Sequence, residues 1–357
     1  MSDRTIHIEQ YYTALPHIEK RFDKYARQKA LRANSYEEYI EWRTSAREEL
    51  SNILGMDKME TSPLDPNVSE RVVLDDGIIR EKVIIQVEPD VYMPVYILIP
   101  KSDGTDRLKC IICPHGHSGA GKYSVAGRRD IPAVRDKIEF FNYDYGMQLA
   151  KKGYVTLCPD CRGFGERREL ALQSDEEKDF INSTCFQLAH MAEPLGMSVI
   201  GMCVGDLMRL TDYIIMRDEW ATDNIACVGF SGGGMQTLYF AALDERVKAA
   251  VISGYMYGVK ESLLERNGNC NCNYVRGLWE AFDMGDIGAM IAPRPVLIQS
   301  ARDDHLNGRR GIINAIEQVD IMRKAYTVTH SDDKLIHKII EGGHHYDSDI
   351  DELLRLI

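Results

Sequence analysis

The chain has 357 residues, 44% of them hydrophobic and 27% charged, with a net charge of −12. A chain of this length buries roughly three quarters of its unfolded surface, so it needs neither disulfides nor a structural metal to fold. No run of about 18 apolar residues occurs, which excludes a membrane-spanning helix, and 55 acidic against 43 basic side chains oppose nucleic acid and anionic membranes as partners. Nine cysteines, an odd number, are scattered through apolar segments such as Lys109-Cys110-Ile111-Ile112-Cys113. No apolar stretch follows Met1-Ser2-Asp3-Arg4, so no secretory signal is expected and the chain reads as a reduced, cytoplasmic protein.

Residues 1–68 read as a helical extension and linker. Tyr36–Ile53 has helical spacing, with Tyr39, Trp42 and Leu50 on one stripe, and Thr61–Val68 carries Pro63 and Pro66. Residues 69–357 read as one catalytic domain. Arg71–Leu74 and Ile78–Val87 flank the hairpin dipeptide Asp76-Gly77, and Tyr92–Ile99 is a third strand. From there short apolar strands alternate with helices. The strands are Cys110–Cys113, Tyr154–Cys158, Ile225–Phe230, Ala249–Ser253, Val296–Ser300 and Leu335–Glu341. The helices are Tyr145–Lys152, Val199–Arg217, Gly233–Leu243 and a closing one carrying Ile350, Leu353, Leu354 and Ile357. The run Asp175–Asp179 reads as a solvated helix start. This alternation predicts an α/β fold with a mostly parallel sheet covered on both faces, the hairpin at one edge, and the site at the carboxyl ends of the strands.

The strongest chemical signal is Gly229-Phe230-Ser231-Gly232-Gly233, a G-x-S-x-G between a strand and a helix. Such a turn holds the serine in a strained backbone conformation and needs small neighbours around it. Ser231 would project above the sheet, the helix N-terminus would favour negative charge, and the Gly232 N–H would face an oxyanion. A serine nucleophile needs a base and an orienting acid, expected in the order Ser, Asp or Glu, His. The strand ending at Ser300 runs into Ala301-Arg302-Asp303-Asp304, and the last strand runs into Gly342-Gly343-His344-His345. Each offers a pair of candidates.

The loop Pro114-His115-Gly116-His117-Ser118-Gly119 follows a buried strand and suits a second oxyanion donor, the His117 main-chain N–H. His115 and His117 then serve structure and not proton transfer. As metal ligands they are an i, i+2 pair without a visible third partner, and Cys270 and Cys272 form another such pair, so no metal is expected. The Asn269–Asn273 cluster reads as a polar insertion above the sheet. A rival reading takes Gly116–Lys122 as the phosphate loop G-x-x-x-x-G-K, but Tyr123 stands where a magnesium-binding Ser or Thr belongs.

With these residues in place, the chain resembles the α/β-hydrolase superfamily, in particular the dienelactone-hydrolase-like and acetyl-xylan-esterase-like bacterial esterases. The resemblance covers roughly residues 70–357. It rests on Pro114–His117, Pro159-Asp160-Cys161-Arg162-Gly163-Phe164-Gly165, Gly229–Gly233, Ala292-Pro293-Arg294-Pro295 and Gly342-Gly343-His344. It implies an α/β-hydrolase fold and hydrolysis of a small or short-acyl ester by a serine carboxylesterase. Ser231 would be nucleophile, His344 base and Asp303 acid, the acid standing three residues after Ser300. Asp304 stays in play, because the proline that often follows the acid in this family is missing. Ser231 in place of cysteine argues against dienelactone hydrolase activity itself. The alternatives are a serine peptidase or amidase related to prolyl oligopeptidases, which lacks room here for its propeller, and a non-catalytic binding scaffold. No cofactor is expected. The expected partner is a small-molecule ester, and the helical extension leaves a homo-oligomer open.

Overall fold

Nine strands join in one sheet among residues 6–102, 104, 107–174 and 176–356, which the computed structural model describes. The expectations resting on Met1–Arg4, Asp175 and Ile357 fall outside those residues. The strands are β1 Asn67–Val73, β2 Ile79–Glu88, β3 Val91–Ile99, β4 Leu108–Ile112, β5 Val155–Pro159, β6 Trp220–Phe230, β7 Val247–Ser253, β8 Val296–Ala301 and β9 Leu335–Ile340. Their order across the sheet is β1-β2-β3-β5-β4-β6-β7-β8-β9. The pairs from β1 to β5 along this edge are antiparallel, and all pairs from β5 to β9 are parallel. At the β1–β2 turn Gly77 takes φ 81°, the left-handed conformation that glycine adopts without cost.

The chain runs from β4 outward to β5 and then returns to β6 on the other flank of β4. That reversal leaves a crevice above the carboxyl ends of β4 and β6, the usual ligand position in a doubly wound sheet. The loop after β4 and the serine turn after β6 therefore meet. Side chains alternate between two cores. Cys110 and Ile112 pack on one face of β4, Ile111 and Cys113 on the other.

The N-terminal helices belong to the first of these cores. The helix Tyr36–Leu54 is capped by Ser35 Oγ, which accepts from Glu38 N at 3.2 Å, and ends at Gly55 with φ 74°. Its Tyr39 hydroxyl lies between the Ala289 and Ala292 carbonyls, each at 2.9 Å, and Leu50 and Leu54 are buried beside the helices Val199–Ile215 and Gly232–Leu243. The extension thus lies along the flank of the sheet's helical layer. The expected linker is shorter than predicted, since β1 opens at Asn67. Several helices escape the periodicity reading, among them Cys185–Ala192 and Ile312–Val328. The second buries Asn314 and Gln318 among its apolar residues, so its inner face is not marked by hydrophobicity.

Candidate active site

β6 delivers Phe230 to a turn in which Ser231 takes φ 57° and ψ −121°, a conformation that L-residues avoid. The Ser231 N–H donates to the Ser253 carbonyl at 2.8 Å, tying the turn to β7. The glycines around the serine are needed for space. A Cβ on Gly229 would strike the Gly233 carbonyl, and one on Gly233 would strike the Pro114 carbonyl. The helix Gly232–Leu243 starts one residue later, so its first N–H groups have no acceptor within the helix and face the crevice region.

His344 reaches this serine from the loop after β9. Its Nε2 lies 2.9 Å from Ser231 Oγ, and its Nδ1 lies 2.6 Å from Asp304 Oδ2. An ionised carboxylate only accepts, so Nδ1 carries the proton and Nε2 is free to accept from the serine hydroxyl. The ring is wedged between Phe230, with centroids 4.6 Å apart, and Phe141 at 6.1 Å. Gly254 lets it approach, since a Cβ there would come within 3.1 Å of His344 Cε1. His345 instead turns its Nδ1 to the Gly343 carbonyl at 2.8 Å.

The carboxylate that meets His344 is that of Asp304, not the expected Asp303. β8 runs one residue beyond Ser300, to Ala301, and the turn Arg302-Asp303 follows. The spacing of three therefore counts from Ala301. Asp303 is exposed, with its N–H donating to the Gly342 carbonyl at 2.9 Å. Asp304 is buried, and its second oxygen accepts from Leu306 N at 2.8 Å, which fixes the carboxylate towards the imidazole.

The loop after β4 is clamped on all sides. Gln236 Nε2 donates to the His115 carbonyl at 2.8 Å, and the Tyr145 hydroxyl donates to the Pro114 carbonyl. His115 Nε2 accepts from Cys161 N at 3.0 Å, so its Nδ1 holds the proton and donates to the Gly116 carbonyl at 2.7 Å. Burial pushes its pKa down to about 4, which keeps it neutral. Its role is structural, as expected. The His117 ring lies over the start of the elbow helix, where a Cβ on Gly232 would be 2.5 Å from Nδ1.

The far end of this loop overturns the phosphate reading. Lys122 Nζ is fully buried and paired with Asp160 Oδ2 at 2.6 Å and Glu166 Oε1 at 2.5 Å. Asp160 also accepts from Lys122 N at 2.8 Å and Glu166 N at 3.0 Å. The lysine is an internal anchor with no path to a phosphate. Asp160, Gln236 and Tyr145 are site-supporting residues that motif reading passed over; only Asp160 had a signal, in Pro159–Gly165. The unpartnered His and Cys pairs also find each other, since ligand atoms of His117, Cys270 and Cys272 all lie within 4.8 Å of one another.

A serine turn at the reversal point of a mostly parallel sheet, with a carboxylate after β8 and a histidine after β9, defines an α/β-hydrolase fold. The Abhydrolase family model matches residues 7–341, and the chain belongs to that family. It is 26% identical over 275 residues to "Putative hydrolase YtaP" of Bacillus subtilis, covering 76% of this chain and 84% of that protein. Among solved structures, a "putative acetyl xylan esterase" of Bacteroides fragilis superposes with TM-score 0.74 at 20% identity, covering 96% of this chain and 85% of that one. A glucuronoyl esterase from Solibacter usitatus superposes with TM-score 0.62 at 16% identity, covering 93% of this chain and 95% of that one.

Proposed function

We propose that this chain is a serine carboxylesterase acting on a small or short-acyl ester. One observation carries the reading: the unbroken hydrogen-bonded line from Ser231 Oγ through His344 to Asp304 Oδ2, at 2.9 and 2.6 Å. In this reading Ser231 attacks the carbonyl carbon while His344 Nε2 takes its proton. Asp304 holds the tautomer and stabilises the imidazolium. The N–H groups of Gly232 and His117 receive the oxyanion, each donor lowering the barrier by about 3–4 kcal/mol. His344 returns its proton to the leaving alcohol. It then activates a water that releases the acid and frees Ser231.

The names of the similar folds, acetyl xylan esterase and glucuronoyl esterase, make esters on sugars the class to examine after simple acyl esters. The nine free thiols support a reducing, cytoplasmic setting as part of the same proposal. The test is a p-nitrophenyl ester series from acetate to octanoate on wild type beside Ser231→Ala, with a p-nitroanilide for the amidase reading. Turnover peaking at short acyl chains and lost in Ser231→Ala is expected. Anilide cleavage exceeding ester cleavage, or no labelling of Ser231 by a fluorophosphonate, overturns the proposal.

A further inference from the structure

Three thiols and an imidazole meet behind the loop that follows β4. They come from separate parts of the chain. His117 belongs to that loop, Cys185 opens the helix Cys185–Ala192, and Cys270 and Cys272 flank Asn271 in the insertion after β7. His117 Nε2 lies 2.9 Å from Cys272 Sγ. Cys185 adjoins Cys270 and Cys272, and Cys270 adjoins His117. Ligand atoms of His117, Cys270 and Cys272 fall within 4.8 Å of one another. A tetrahedral zinc ion with bonds of about 2.3 Å to sulfur and 2.0–2.1 Å to nitrogen spaces its ligands about 3.8 Å (S···S) and 3.5 Å (S···N) apart. The ligand atoms of His117, Cys270 and Cys272 lie close to those spacings.

The surroundings supply what a thiolate cluster needs. Asn273 is buried, and its Nδ2 points at Cys272 Sγ at 3.7 Å while donating to the Cys270 carbonyl at 3.0 Å. The Tyr255 hydroxyl donates to Asn273 Oδ1 at 2.7 Å, which orients the amide with its N–H groups towards the sulfur. Such outer hydrogen bonds disperse charge on metal-bound thiolates. Three close thiols with an imidazole are the ligand set that soft, tetrahedral ions select.

We propose that Cys185, Cys270, Cys272 and His117 form a closed site for a thiophilic divalent metal ion, zinc by preference, that pins the loop 114–121 to the insertion. Four protein ligands leave no open position, so the ion serves structure. The thiols lose their protons to solvent on binding. Because the His117 ring also packs over Gly232, the ion would hold one wall of the Ser231 turn. The site stands independently of the esterase reading.

The experiment is elemental analysis of protein purified from zinc-supplemented medium with reductant and without chelator, followed by cobalt reconstitution of the stripped protein. Expected are about one zinc per chain and an intense thiolate-to-cobalt charge-transfer band. Cys185→Ser and Cys272→Ser should lose the metal, Asn273→Ala should bind it about 10–100-fold more weakly, and the remote Cys110→Ala should retain it. Wild-type protein that stays metal-free after reconstitution under reductant overturns the proposal, whether its thiols alkylate freely or are found by mass spectrometry as a Cys185, Cys270 or Cys272 disulfide. That readout does not depend on the variants folding.

Discussion

Asp303 and Asp304 are neighbours with opposite surroundings. Asp303 faces solvent, whereas Asp304 is buried with one oxygen on Leu306 N and the other on His344 Nδ1. Replacing the buried carboxylate by an amide offers a donor where the imidazole needs an acceptor, and the wrong tautomer follows. Asp304→Asn should therefore lower kcat by roughly 10⁴-fold, while Asp303→Asn should stay within about 3-fold, as surface changes do. Steady-state kinetics on a p-nitrophenyl ester checks both, and the reverse ranking would return the acid to Asp303. Ser231→Ala should cost roughly 10⁶ in kcat with the thermal transition unchanged.

At the scale of elements, the crevice is held open by loops locked to their own scaffold. The loop 114–121 is tied at one end by Tyr145 and Gln236 and at the other by the buried Lys122–Asp160 pair. Asp160 is the fully buried partner of Lys122; without it the buried ammonium keeps only Glu166, whose side chain is partly exposed. Asp160→Asn should destabilise the chain by about 3–5 kcal/mol in urea unfolding, and Lys122→Met combined with it should recover much of that loss. Gly232→Ala places a methyl against His117, a clash between the elbow helix and the loop. It should cost about 1–3 kcal/mol of stability and reduce kcat, with KM for a small ester changing less.

For the whole molecule, the helical extension and the sheet share one core. Leu31, Tyr39, Ala46, Leu50 and Leu54 pack with residues of β2, β3 and the elbow helix, and Arg27 is paired with the buried Asp286 at 2.8 Å. Deleting residues 1–54 should leave no cooperatively folded remainder, seen as loss of a thermal transition by circular dichroism; a truncated chain that melts sharply would separate the two parts. Acid sensitivity also belongs to this scale. Burial pushes His115 and His337 each down to about 4 from an ordinary 6.5. The unfolded chain takes up these protons below about pH 6.5 and the folded one only near 4. Stability is thus fully present above 6.5 and falls as pH drops through that window. The urea midpoint should decline there, and His337→Gln should flatten the decline.

Each of the nine strands overlaps a segment that the sequence marks as a strand, and Ser231 is legible from its glycines, because a strained turn restricts its own neighbours locally. The acid is not, since which of two adjacent aspartates turns inward depends on where β8 ends, and strand ends are set by pairing with β9. The buried helix Ile312–Val328 is hidden for a related reason: its inner polar residues are satisfied by partners distant in the chain. Local sequence therefore determined the strand–helix alternation, the serine turn and the order of its partners. The meeting of Asp304 with His344, the burial of Lys122 and the meeting of His117 with Cys270 and Cys272 were decided by folding, because each depends on contacts between segments tens to hundreds of residues apart.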